Sequence, residues 1–168
     1  MKITTFSIRV WRALSMITVL GASLYSYSLF GQDVGVHFNA QGLADEFMLK
    51  SDIFYVVVGL ILVNNVLLLS VGRSLLKIQS ELLPIPNQQI WANHRDELKE
   101  HIQNWIYSLV AMINTSIALT IFVLATVNNE FKFKIGDFGG LLYMIVGFLL
   151  IIIIALPVRL MMKPSSDD

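Results

Sequence analysis

Four stretches of this sequence are long and apolar enough to cross a lipid bilayer as helices. They cover about residues 10–30, 53–71, 105–127 and 139–158. A helix needs about 20 mostly apolar residues to cross the hydrocarbon core, because each residue adds only about 1.5 Å of length. The stretches contain no Asp, Glu, Lys or His, and Arg12 near the start of the first is their only arginine. The sequence therefore predicts an all-α fold, an integral membrane four-helix bundle.

The composition agrees with a membrane protein and excludes several classes of function. Hydrophobic residues make up 55% of the 168 residues and charged residues 14%. Twelve Lys and Arg balance twelve Asp and Glu, so no net positive field attracts nucleic acid. The sequence has no cysteine, which rules out disulfides, thiolate nucleophiles and thiolate metal ligands. No linker or repeat divides the chain, and we predict a single membrane domain over residues 1–168.

The positions of the basic residues predict how the helices are oriented. Cytoplasmic connections of membrane proteins are enriched in Lys and Arg. Of the twelve here, nine precede the first stretch or lie in its first turn, lie between the second and third, or follow the fourth, and three lie in the other two connections: Lys50, Lys132 and Lys134. We therefore predict that both termini are cytoplasmic. We also expect the first stretch to remain uncleaved, because bulky residues over 24–30 replace the small residues of a signal-peptide cleavage site.

The connection between the second and third stretches, residues 72–104, has a helical pattern in its second half. Pro84 and Pro86 interrupt its first half. After them, apolar side chains recur about one or two helical turns apart, at Ile90, Trp91, Leu98 and Ile102. We predict an amphipathic cytoplasmic helix before the third span, with Asn87 as its N-cap.

Two arrangements of this amphipathic helix are compatible with the pattern. In the first, the helix lies on the membrane surface, where Trp91 and Trp105 are anchors between lipid and water. In the second, it is an extension of the third span, and its apolar side packs on the segment 74–83. Both arrangements place the connection on the cytoplasmic side.

Three asparagines lie near the middle of the second and third stretches. Asn64 and Asn65 belong to the second, and Asn114 belongs to the third. Because consecutive spans run antiparallel, these amides have matching depths near the membrane midplane. Such amides either clamp two helices together or line a path for a solute or ion. The clamp is the favoured interpretation, since no ionisable group accompanies the amides and transport paths usually contain one.

The connection between the first and second stretches, residues 31–52, contains a histidine among acidic residues. His37 precedes Asp45 by eight positions. A metal site needs three or four ligands that converge from several directions. We favour instead a local turn at Gly42, with Asn39 or Asp45 bonded to the backbone. We expect no metal and no cofactor.

A second polar group lies in the predicted cytoplasmic helix. His94, Glu97 and His101 are three and four residues apart, which places them on one side of a helix. Several other charged residues surround them, so we interpret this side as a solvated, charged face. No spacing in the sequence matches a metalloprotease helix, a phosphate-binding loop or a nucleophile elbow. We therefore predict that the protein is not an enzyme.

Two motifs resemble a known family. One is the run 37–42 with Asp45 before the second span, and the other is 85–87 with Trp91 and Arg95 before the third. In this order they are similar to an uncharacterised bacterial membrane domain, which also forms the N-terminal part of SdpI-type immunity proteins. The resemblance covers residues from 34 to about 127.

The resemblance implies a multi-pass protein of the bacterial inner (plasma) membrane with an outer recognition loop. The family usually has a proline just before the loop histidine, where this chain has Gly35 and Val36. Its longer immunity proteins also contain a further membrane region. The implied recognition residues are His37, Phe38, Asn39, Gly42 and Asp45. The implied cytoplasmic loop motif is Pro86, Asn87 and Trp91.

The favoured function is that of a non-enzymatic membrane protein that acts through protein contacts, in an accessory, interaction or immunity-like role. The expected partners are the lipid bilayer and a membrane or secreted protein, and a homo-oligomer is a further possibility. No nucleic-acid partner is expected. The alternative is a component of a small solute or ion transporter or channel, in which Asn64, Asn65 and Asn114 line the path.

Overall fold

The computed structural model describes residues 2–79, 82–129 and 133–164, and most of them are helical. Four helices are long and apolar enough to cross a membrane, which confirms the four predicted spans: Ile3–Leu29, Lys50–Leu75, Arg95–Asn129 and Ile135–Met161. Each is longer than the corresponding apolar stretch of the sequence. The helical content and the four long apolar helices fit a multi-pass membrane protein.

Several shorter elements divide or connect the four long helices. In chain order the elements are α1 (Ile3–Leu29), β1 (Asp33–Phe38), β2 (Ala44–Leu49), α2 (Lys50–Leu62), a π-helical turn (Val63–Leu68), α3 (Leu69–Leu75), α4 (Gln88–Asn93), α5 (Arg95–Asn129), a 3₁₀ turn (Ile135–Phe138) and α6 (Gly139–Met161). The second long helix is therefore α2, the π-helical turn and α3 taken together.

Helix α5 is the centre of the fold. It packs along α1 and also contacts α3, the π-helical turn and α6. Ala111, Ala118 and Ala125 recur every seven residues along α5, and all three are buried. Small residues at this spacing allow close approach between helices, which matters in lipid because the hydrophobic effect does not hold spans together there. By contrast α6 has one buried residue, Leu160, and it lies at the edge of the bundle.

Two apolar clusters lie at opposite ends of α5. The cluster at its C-terminal end, the hairpin-end core, consists of Val19, Phe30, Val34, Ile53, Val57, Ile61, Ala118, Ile121 and Ala125. The cluster at its N-terminal end, the connection-end core, consists of Leu69, Leu83, Trp91, Leu98, Ile102, Ile106, Val110 and Leu160. Each core joins spanning helices to a connection outside them.

The connection between α1 and α2 is a β-hairpin, which corrects the all-α prediction. Strands β1 and β2 pair antiparallel, from Asp33 opposite Leu49 to Phe38 opposite Ala44. The register shifts on both sides of His37, and such bulges bend a strand and increase its twist. The all-α prediction missed the hairpin because only β1 alternates between apolar and polar residues, whereas β2 does not.

The connection before the third span has the second of the two predicted arrangements. Helix α5 begins at Arg95. Leu98 and Ile102 in its first turns pack in the same core as Leu83. The predicted role of Trp91 as a lipid anchor is wrong, since its side chain is fully buried in the connection-end core. Trp105 is partly buried, and its indole Nε1 donates to the carbonyl of Ile152 at 2.7 Å.

Candidate functional site

The tip of the hairpin is held by the side chain of Asn39. Its Oδ1 accepts hydrogen bonds from the backbone N–H groups of Gln41 and Leu43, each at 3.0 Å. Gly42 has a φ of 79°, a left-handed conformation that strongly favours glycine. The structure thus has the local turn that the sequence favours, and two of the recognition residues implied by the resemblance form it.

Asp45 bonds to a side chain and not to the backbone. Its carboxylate Oδ1 is hydrogen-bonded to His37 Nδ1 across the hairpin, and both side chains are exposed. The hydrogen bond and the negative charge of Asp45 raise the pKa of His37, and the charge of Glu46 adds to this effect. Within the described ranges, no three His, Asp or Glu side chains are placed to hold a metal ion.

The hairpin is docked on the end of α5 by a residue that the sequence analysis missed. Asn128 Oδ1 accepts from the backbone N–H of Gly35 at 2.7 Å, and Asn128 Nδ2 donates to the Gly35 carbonyl at 3.0 Å. A Cβ at Gly35 would lie 2.5 Å from the Cβ of Ala44 on β2 and 3.2 Å from Asn128 Oδ1, so the close packing at this position requires glycine. The signal was weak, since Asn128 looks like any polar residue at the end of a span.

The same hairpin buries one side chain and exposes several others. Val34 is fully buried in the hairpin-end core. Leu43 and Phe47 are 64% and 60% exposed, and Phe38 is half-buried. The hairpin therefore combines a fixed base with an exposed surface of apolar residues beside the His37–Asp45 pair. We call this surface the hairpin face.

The structure brings the three predicted asparagines into one hydrogen-bonded group. Asn114 Oδ1 accepts from Asn64 Nδ2 at 2.9 Å and from Asn65 Nδ2 at 2.8 Å. Asn114 Nδ2 donates to Asn65 Oδ1 at 3.1 Å and lies 3.5 Å from Ser15 Oγ on α1. Asn64 Nδ2 donates also to the carbonyl of Val110 at 3.0 Å. Side chains of three long helices thus meet in this group.

The π-helical turn explains how two consecutive asparagines reach the same partner. It contains both Asn64 and Asn65, and a π-helical turn holds an extra residue compared with an α-helical one. Asn64 and Asn114 are buried, at 4% and 0% exposure. Asn64 Oδ1 is buried without a hydrogen-bond partner in the described part of the chain.

At the connection end, two side chains bind the C-terminal end of α6. Asn87 is the N-cap of α4, as predicted, but its side chain makes no capping bond to that helix. Its Nδ2 donates instead to the carbonyl of Met161 at 3.0 Å, and Trp91 Nε1 donates to the carbonyl of Leu160 at 3.0 Å. The last carbonyls of a helix lack partners within it. Exposed Pro86 precedes Asn87 and makes none of these bonds.

The predicted solvated face is wrong for two of its three residues. Glu97 Oε1 accepts from Arg159 Nη2 at 2.8 Å and lies 3.2 Å from His101 Nε2. The side chains of Glu97 and His101 are 15% and 28% exposed, and the Arg159 guanidinium lies 5.1 Å from the centre of the Trp91 ring. His94 is half-buried, and its Nδ1 lies 3.0 Å from the carbonyl of Ile90 in α4.

No protein-family model matches the chain, and no curated protein or solved structure matches it significantly. The resemblance described from its two motifs therefore remains a prediction. Within the structure, the two motifs lie at opposite ends of α5: one forms the hairpin tip, and the other holds the end of α6.

Proposed function

We propose that this chain is a non-enzymatic protein of the bacterial inner membrane that acts through protein contacts of its hairpin face, in an accessory or immunity-like role. The observation that carries the proposal is the docking of the hairpin through Asn128 and Val34. A hairpin that is held rigidly loses less conformational entropy when it binds a partner. Exposed apolar side chains beside a charged pair are typical of contact surfaces. Leu43 and Phe47 are those apolar side chains.

The charge distribution supports a matching orientation. Nine of the twelve Lys and Arg lie at the connection end or beside the termini, so that end is the cytoplasmic one under the positive-inside rule. The hairpin face then lies outside the inner membrane, within reach of a membrane or secreted protein. Cysteine accessibility at Leu43 and at Lys77, measured in intact cells with an impermeant reagent, tests this orientation, and labelling at Lys77 alone would contradict it.

Site-specific photocrosslinking tests the contact function. A photoreactive amino acid at Phe47 should give a discrete crosslinked protein in native membranes, and His37→Ala should reduce its yield. The matched control is the same amino acid at Tyr143, an exposed aromatic residue of α6, which should crosslink to lipid. Equal protein adducts from both positions, or none from Phe47, would overturn the proposal.

The group of three asparagines supports a second candidate, a small transporter or channel component. The observation in its favour is the unpartnered Asn64 Oδ1 in the interior of the bundle, since buried polar atoms without partners often mark functional sites. Against it, the amides mainly bond one another, as in a clamp. Solute or ion flux through liposomes that changes on Asn64→Leu would support transport, and no flux from the intact protein would reject it.

A further inference from the structure

A groove of about 320 Å³ lies between the N-terminal end of α1, the start of α5 and the C-terminal part of α6. The end of the groove nearest the helix termini is polar and contains side chains of both charges, among them Lys2, Glu100 and Arg159. Its inner part is apolar and includes Trp105, Ile152 and Leu156. The groove is thus polar at the end of the helices and apolar towards their middle.

Polar bonds between the helices fix the walls of this groove. Thr5 Oγ1 donates to Glu100 Oε1 at 2.6 Å, and Lys2 Nζ lies 3.2 Å from Glu100 Oε2, which joins α1 to α5. Arg159 is bonded to Glu97, which joins α6 to α5. The separation of α1 and α6 at this end is therefore held by two independent contacts on α5.

A second, wholly apolar groove of about 360 Å³ continues between the same three helices. The two grooves share Ile152, and the second also includes Trp11, Ile145 and Phe148. From Leu156 to Ile145, α6 rises about 17 Å. This length is close to half of the roughly 30 Å hydrocarbon core, and so to the depth of one leaflet.

We propose that the combined groove binds one glycerophospholipid, with its phosphate beside Lys2 and Arg159 and one acyl chain along α6. Guanidinium and ammonium groups are the usual protein partners of phosphate. Glu100 already accepts from Thr5 and pairs with Lys2, but a carboxylate has about four acceptor sites and can also bind a headgroup ammonium, so the mixed charges of the polar end match a zwitterionic headgroup. The order of charge and apolar surface along the groove is that of a lipid molecule in its own leaflet.

Lipid titration followed by native mass spectrometry in mild detergent tests this site in the full chain. The probes are phosphatidylethanolamine, a diacylglycerol with the same two chains, and glycerol 3-phosphate. We expect one bound phosphatidylethanolamine, binding of the diacylglycerol that is at least about tenfold weaker, and none of glycerol 3-phosphate. Equal binding of the diacylglycerol would overturn the phosphate contact, and binding of glycerol 3-phosphate alone would indicate a soluble phosphate site.

Matched substitutions locate the bound lipid. Ala155 lines the polar groove, so Ala155→Phe should fill it and reduce lipid binding about tenfold, whereas Ile154→Phe on the exposed side of α6 should have no effect. Lys2→Gln should weaken the phospholipid and leave the diacylglycerol unchanged, with Lys77→Gln as its control. Unaltered binding by both Ala155→Phe and Lys2→Gln would mean that the retained lipid is nonspecific and would overturn the proposal.

Discussion

At each end of α5, an asparagine side chain hydrogen-bonds to the backbone of another segment, but the two contacts have different consequences. At the hairpin end, Asn128 bonds to the backbone of Gly35, and at the connection end, Asn87 bonds to the last carbonyls of α6. The first contact leaves the exposed pair His37 and Asp45 at the surface. The second is joined by Trp91, which is buried completely. One end therefore leaves polar side chains exposed, while the other holds a weakly packed helix in place.

The largest expected effect of a single change is at the connection end. Trp91→Ala removes a fully buried ring and its bond to Leu160, and it should lower the free energy of unfolding by about 3–5 kcal/mol. Thermal unfolding in detergent measures this loss. Ile90→Ala, one position away and 37% exposed, is the control. A similar loss from both variants would show that the connection end has no special anchoring role.

The next largest loss of stability is expected at the asparagine group, which lies between the two ends of α5. Replacement of Asn64 and Asn114 by Leu removes the bonds between the second long helix and α5. Each such bond in a membrane protein contributes about 0.6–2 kcal/mol, so the double variant should unfold more easily in detergent. Thr115→Val is the control, because Thr115 bonds only within α5, to Ala111. Unchanged unfolding of the double variant would reject the clamp.

At the hairpin end, Asn128→Leu should act locally. It removes both bonds to Gly35, a loss of about 1–3 kcal/mol for the buried backbone groups left without partners. Hydrogen exchange should show faster exchange of the Gly35 amide, with little change in α3 or α4. Asn129→Leu, at the adjacent exposed position, should leave that rate unaltered. Faster amide exchange throughout the protein would mean that the hairpin end contributes to global stability as much as the connection end does.

The smallest effect concerns the exposed pair. Asp45 raises the pKa of His37 above its ordinary 6.5, so their interaction is fully present below about pH 6.5 and is lost as the pH rises through the raised value. An NMR titration of the His37 ring should show this pKa fall on Asp45→Asn. Asp33→Asn, at the start of the same hairpin, should leave it in place. A His37 pKa that does not change on Asp45→Asn would contradict the observed contact.

The amide group and the hairpin tip show what could be predicted of the candidate site. Matching depth in antiparallel spans was enough to predict that Asn64 and Asn114 meet, because polar side chains within spans hydrogen-bond across helices. Gly42 and Asn39 predicted the tip because turn chemistry is local. Asn128 was missed, since its partner Gly35 lies 93 positions away along the chain, and no local pattern records such a contact.

The sequence by itself determined the four spans, because apolar length and the absence of charge are properties of each segment alone. Tertiary structure decided which side chains are buried outside those spans. Trp91 and Glu97 look like an anchor and a solvated charge in the sequence, and only the packing of α4 and α6 against α5 places them in contact with Leu160 and Arg159. The physical reason is that burial and bonding partners depend on distant segments, whereas the ability to span a membrane does not.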